Sequence, residues 1–307
     1  MAFIEVDGIS FELKNTNFDF SFLKNYGKVF TVFDKNDSGN ISFGMEDNKK
    51  RYFIKMGGAE TLNKHENLKT EEVINNLISA VNVYKDLKHP LLINLLENTP
   101  IKNGYILVFD WVDGQCMNEH WTYDIHPKYT DVKSAYYRYI RLETNKLLKS
   151  LYEIFEFHKF VSSKNYVAID FYDGSVMYDF NSGKTTICDI DLYNKTPYIN
   201  EMGRLWGSSR FMSPEEFNKG DIIDEITNVY TMGAAAFVFL GGEKDKNFTK
   251  WRMGKNLYDV ALKAVNPERK NRYQTINEFI ENWDKALILD SEIKSCKQAE
   301  ELRIIND

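Results

Sequence analysis

The spacing of apolar residues changes character once along this chain, and that change limits the folds open to it. In the first third, apolar residues alternate with polar ones or form short runs, the pattern of strands. Phe18, Phe20 and Phe22 alternate, Val29 to Phe33 continues as a second extended run, and Arg51 to Met56 makes a third. A helix is predicted from Thr70 to Leu87, opened by Thr70-Glu71-Glu72 and carrying Val73, Leu77, Ala80, Val81 and Tyr84 at helical spacing. His89-Pro90 ends it, and two strands follow, Leu91 to Leu96 and Tyr105 to Trp111, with Asn103-Gly104 as the turn. From Ser134 onward the period is helical. Ala135 to Phe157 sets Ile140, Leu147, Leu148, Leu151, Ile154 and Phe155 on one face, and most later segments follow suit. The expectation is an α+β protein with a strand-rich part over 1–113 and a helical part over 114–307, meeting near Asp113-Gly114.

Composition narrows the function classes. A chain of 307 residues, 43% hydrophobic, with 17 Gly and 6 Pro, can bury one large core or two smaller ones. A formal net charge of -6 repels phosphate backbones and anionic lipid, and no basic patch offsets it, so neither nucleic acid nor a membrane is an expected partner. The cysteines Cys116, Cys188 and Cys296 are far apart and odd in number, which fits a reducing compartment. Met1 to Lys14 lacks the basic-then-apolar pattern of a secretion signal, and the most apolar run, Ala234 to Leu240, is far too short to span a bilayer. A cytoplasmic location is expected.

Several charged residues end apolar strands, an arrangement that delivers charge to the rim of a core. Lys55 closes Tyr52-Phe53-Ile54, Asp170 follows Val167-Ala168-Ile169, and Asp189 and Asp191 follow Thr186-Ile187-Cys188. Two acids converging in apolar surroundings need a cation, and magnesium is the economical one.

These residues also stand in a collinear set that resembles the protein kinase superfamily, as a divergent member of its bacterial-type, eukaryotic-like Ser/Thr branch. Gly207-Ser208-Ser209-Arg210-Phe211-Met212-Ser213-Pro214-Glu215 resembles the G-T-P-x-Y-x-A-P-E run that closes the activation segment. Asp189-Ile190-Asp191 looks like the D-F-G site, Asp170 like the aspartate of H-R-D, and Tyr52 to Lys55 like the V-A-I-K strand. Phe109 to Val112 resembles the hinge, Asn228 to Gly233 the D-x-W-S-L-G helix start, and Arg272 the partner of the A-P-E glutamate. The resemblance covers about Val29 to Trp283. It implies a bilobal fold, with an antiparallel sheet in the first lobe and a mainly helical second lobe, around ATP and Mg2+. In that scheme Asp170 orients the incoming hydroxyl and Lys55 holds phosphates. Asp189, with Ser175 and Asp191, binds the metal. Asn36, Ser38, Gly39, Ile41, Phe109, Asp110 and Val112 surround the nucleotide, Glu215 and Arg272 form a structural clamp, and the acceptor is Ser or Thr of a protein.

The departures are equally specific. Ala168 and Ile169 replace the family's His and Arg, Tyr172 its lysine, Ser175 its metal-binding Asn, and Ala80 the helix glutamate that pairs with the strand lysine. Of the glycine loop only Gly39 survives, and Asp34 and Asp37 add negative charge beside the expected triphosphate. The second acid, Asp191, looks more like antibiotic and choline kinases of this fold, whereas the retained Glu215 and Arg272 favour a peptide platform. A small-molecule kinase and a pseudokinase that binds nucleotide or a partner are therefore the rivals, with a non-nucleotide scaffold behind them. Two motifs are decoys. Asp34 to Met45 mimics a calcium loop but carries Met45 where the bidentate Glu belongs, and Ser182-Gly183-Lys184-Thr185 mimics the end of a P-loop but reads better as a hairpin turn.

Overall fold

The computed structural model describes residues 2–14, 18–36, 38–65 and 68–306, the backbone alone from 294 onward. It is a mixed α+β protein whose largest sheet is antiparallel, and it divides into two compact units. The first comprises residues up to Gln115, Glu119–Pro127 and Met177–Leu192; the second comprises Cys116–Asn118, Lys128–Val176 and the residues from Tyr193.

The first unit opens with a hairpin, β1 (Ala2–Val6) and β2 (Ile9–Leu13), turned by Asp7 and Gly8 at φ 53° and 83°. The strands β3 (Lys28–Phe33), β4 (Ile41–Glu46), β5 (Arg51–Gly57), β6 (Leu95–Ile101) and β7 (Gly104–Asp110) form one sheet in the order β3-β4-β5-β7-β6. Alternation sorts its residues by face. Ile41, Phe43, Met45, Ile54, Met56, Ile106 and Val108 enter a core closed by Phe11, Leu13, Phe20 and Leu23. The opposite face carries Phe53 and Lys55 of β5, with Ser42 and Leu107 directly across from Lys55. Helix α1 (Thr70–Asp86) buries Val73, Leu77, Ala80, Val81 and Tyr84, and Tyr84 lies edge-on to Phe109 with ring centroids 4.9 Å apart.

Two expectations shift here. Phe18 to Phe22 is not a strand; Asp19 Oδ1 accepts the Ser21 N–H at 2.9 Å and starts a short 3-10 turn over Ser21–Tyr26. Phe20 and Leu23, three apart, then both enter the core. The strand expected over Leu91 to Leu96 begins only at Leu95, because the preceding backbone bonds elsewhere. Ile187 N–H donates to Leu91 O at 2.6 Å and Ile93 N–H to Ile187 O at 2.8 Å, which attaches the segment ending in Asp189-Ile190-Asp191 to the first unit. That segment is reached through the expected hairpin turn, with Gly183 N–H on Asp179 O at 2.8 Å.

The second unit is mainly helical. It contains α2 (Ala135–Tyr139), α3 (Thr144–Ser163), α4 (Glu225–Leu240), α5 (Lys255–Ala264) and α6 (Ile276–Asn306). The single helix expected from Ala135 to Phe157 is thus two. Tyr139 and Ser150 hydroxyls are 2.7 Å apart, whereas eleven residues of unbroken helix would separate them by about 16 Å along the axis. Helix α4 is apolar on nearly every side and accordingly buried. Gly233 permits α5 to approach, since a Cβ there would lie 2.6 Å from that of Ala264. Asn228 of α4 braces the loop before Asp170, accepting the Ala168 N–H at 2.8 Å and donating to Tyr166 O at 3.1 Å. No described helix is long and apolar enough to cross a membrane.

His158 of α3 is completely buried. Its Nδ1–H donates to Ile154 O at 2.8 Å, so the neutral ring accepts the Tyr193 hydroxyl at Nε2, also 2.8 Å away. Burial pushes its pKa down from 6.5 to about 4, outweighing the opposing bond to Ile154. The unfolded chain therefore binds a proton that the native state refuses. The stabilising contribution is complete above pH 6.5 and is lost as pH falls toward 4, by about 3 kcal/mol. Urea unfolding between pH 7 and pH 4.5 is expected to show this extra loss in the wild type and not in His158→Gln.

Candidate functional site

In the first unit the Lys55 stem rises from the middle of the sheet and its ammonium contacts two carboxylates, Asp189 Oδ1 at 2.7 Å and Asp191 Oδ2 at 2.6 Å. Lys55 is 13% exposed and Asp191 9%, whereas Asp189 keeps 41% of its side chain open. Burial alone would lower the Lys55 pKa, but the charges and bonds of Asp189 and Asp191 prevail and raise it above the ordinary lysine range. The ammonium is thus charged at any physiological pH.

Asp191 is fixed from its other side by Tyr84, whose hydroxyl donates to Asp191 Oδ1 at 2.8 Å and accepts the Ile190 N–H at 3.3 Å. Burial, and then the charge of Asp191, drive the Tyr84 pKa well above 10, so it stays a donor. The Lys55 ammonium lies between Asp189 and Asp191, and the strand stops at Ile187, before the two acids, with Asp189 at the left-handed φ of 54°. Ala80 supplies no glutamate to Lys55. Asp191 bonds Lys55 instead, and is itself held by Tyr84, one turn beyond Ala80 on α1. Tyr84 was hidden in the sequence because it sits on the apolar stripe of its helix; the only signal is a hydroxyl on that stripe.

The residues expected around a nucleotide are less uniform. Ile41, expected beside the nucleotide, is fully buried in the core on the face away from Lys55; one register position along, Ser42 shares the Lys55 face. That face carries an aromatic row, with Phe109 6.3 Å from Phe53, Phe53 6.0 Å from Phe33 and Phe33 5.4 Å from Trp121. Asn36 Nδ2 donates to Asn40 O and Ser38 Oγ accepts from Asn40 Nδ2, both at 3.4 Å, and Gly39 has φ 78°. Asp34 accepts the Glu12 N–H at 3.2 Å, so its charge is directed to β2. Asp37 lies outside the described residues. Asp110 is held by Lys50 at 2.7 Å and Asn94 at 2.7 Å. With Val112 it lines a groove of about 680 Å3 together with Lys85, Lys88 and Asn94, a groove that Lys55 does not line.

In the second unit Asp170 follows the short strand Tyr166–Val167 and has φ 66°. The run from Gly207 reaches it closely, since a Cβ on Gly207, itself at φ 127°, would lie 3.3 Å from Asp170 Oδ1. Asp173 is fully buried. Arg210 grips it with Nη2 on Oδ1 at 2.8 Å and Nη1 on Oδ2 at 2.9 Å, and Lys128 Nζ lies 2.5 Å from Oδ2. Ser175 is fully buried too, and its Oγ has no hydrogen-bond partner among the described residues. The Glu215 and Arg272 side chains form the expected bidentate pair at 2.7 and 2.9 Å, with Arg269 as a second cation 2.7 Å from Oε1. Burial would raise the Glu215 pKa, but Arg272 and Arg269 outweigh it and hold it low.

The donor set fits the phosphate and metal end of a magnesium nucleotide. A permanently charged ammonium stands beside a carboxylate that is open on one side. Among the described residues no three His, Cys, Asp or Glu side chains are grouped to hold a metal. Magnesium does not require that, since it is commonly held by one or two carboxylates and completed by phosphate oxygens and water. No protein-family model matches the chain.

Removing the Tyr84 hydroxyl leaves Asp191 and the Ile190 N–H each short of a partner in a buried place. Tyr84→Phe is therefore expected to lose about 1–3 kcal/mol of stability in urea unfolding. A smaller cost than Leu77→Ala, about 2–5 kcal/mol for a buried leucine, is expected in the same assay.

Proposed function

We propose that the chain is an ATP-dependent phosphotransferase of protein-kinase-like fold, acting in the cytoplasm on Ser or Thr hydroxyls of a protein. The observation that carries this reading is the Lys55 ammonium bonded to Asp189 at 2.7 Å, two residues 134 positions apart in the chain that the resemblance pairs in one active site. ATP would be held by Lys55 through its phosphates, and Mg2+ by Asp189; the bound nucleotide supplies the transferable γ-phosphoryl group. Asp170 accepts and orients the acceptor hydroxyl. Asp191, with both oxygens engaged by Lys55 and Tyr84, orients the lysine in place of the missing helix glutamate. A protein acceptor is supported by the Gly207 to Glu215 run and its buried Arg272 pair, which make a rigid platform.

A second reading, a small-molecule kinase, is favoured by Asp191 itself, because an acid in that position resembles the antibiotic and choline kinases. Transfer of labelled γ-phosphate from MgATP to generic proteins, and to a panel of amino sugars and alcohols, separates the two. Protein labelling is expected, reduced about 100-fold or more by Asp170→Ala and by Asp189→Asn. Labelling of small molecules alone transfers the assignment to the second reading. A wild-type protein that neither labels an acceptor nor shows a thermal shift with MgATP would end both and leave a partner-binding module.

A further inference from the structure

The buried charges around Asp173 have no part in the proposed chemistry, yet they join the two loops that meet at Asp170. Asp173 lies three residues after Asp170, and Arg210 three after Gly207, so one ion pair ties both loops close to the point where they touch. All its charges are balanced locally. Asp173 takes Arg210 on both oxygens and Lys128 on one, while Arg210 also donates to Glu243 Oε1 at 3.1 Å. Glu243 is steadied by Tyr136 at 3.1 Å and Tyr129 at 3.2 Å. The remaining donor of Arg210, Nε, bonds Ser208 Oγ at 3.2 Å, next to Gly207. Asp170 and Gly207 both need the left-handed half of backbone space, at φ 66° and 127°, a conformation that must be imposed on an aspartate by its surroundings.

We propose that Asp173 and Arg210, backed by Lys128 and Glu243, form a built-in clamp that sets the Asp170 carboxylate by holding Gly207 against it, so that the segment is ordered without phosphorylation. Arg210 is a positioning residue in this scheme, and the inference rests on the reading of Asp170 as the hydroxyl-orienting group. A planar fork is needed to reach Asp173, Glu243 and Ser208 together, which a lysine reproduces only in part.

The test uses the full chain with Arg210→Met and Arg210→Lys. Arg210→Met is expected to lower kcat about 10–100-fold, the scale of a displaced catalytic group, with MgATP affinity unchanged within about twofold. Arg210→Lys is expected to recover most of that loss. Wild-type protein treated with phosphatase should keep its rate. An unchanged kcat in Arg210→Met, or a rate that collapses on phosphatase treatment, overturns the clamp. Hydrogen exchange of 200–213 provides a readout independent of activity: faster exchange in Arg210→Met is expected, and unchanged protection overturns the clamp. Should the wild type transfer no phosphate while exchange still accelerates, it is the kinase reading that fails, and the clamp survives as an ordering device.

Discussion

Lys55 is the charge around which the first unit is arranged. Its ammonium is nearly enclosed, and an ion in such a place is tolerable only with opposite charge in contact. Asp189 and Asp191 provide it from the last segment of the first unit, and the parallel contact of Ile187 with the backbone of Leu91 to Ile93 puts them within reach. The unequal exposure of the two acids divides their work. Asp191 is covered and bonded on both oxygens, by Lys55 and Tyr84; Asp189 bonds the lysine and stays open on one side.

The same economy recurs in the second unit. Asp173 is matched by Arg210 and Lys128, and Glu215 by Arg272 and Arg269, with Asp224 taking the second Arg269 nitrogen at 2.6 Å. Each set is a polar knot inside an apolar body. Breaking one partner leaves a buried ion alone, which costs far more than the intact pair contributes. Such knots therefore define local geometry more than they add net stability, and they are concentrated on the loops that carry Asp170 and the run from Gly207 to Glu215.

Much of this was legible in the residues. Lys55, Asp170, Asp189 and Asp191 announced themselves as charges placed after apolar strand residues, and the bond from Lys55 to both acids follows that pattern. Glu215 and Arg272 were legible as a pair only through the resemblance. Ile41 misled because its face depends on register: only once Ser42 is known to oppose Lys55 does alternation send Ile41 to the core. Tyr84 looked like one more residue of an apolar stripe. Lys128 and Arg210 stand 45 and 37 residues from Asp173, and no local rule couples charges at such separations.

By itself the sequence determined the strand-rich character of the first part and the helical character of the second, because periods of two and of 3.6 residues are properties of the local backbone and survive without knowledge of the rest. It also determined that charges interrupt or follow apolar runs, although Lys55, expected to close its strand, lies inside β5, which continues to Gly57. Tertiary structure alone decided which cation meets which anion, where the long stripe after Ser134 breaks into two helices, and which face of the sheet Ile41 joins. Those outcomes depend on strand register, chain reversal and the compensation of buried charge, all of which are set by contacts between residues far apart in the chain.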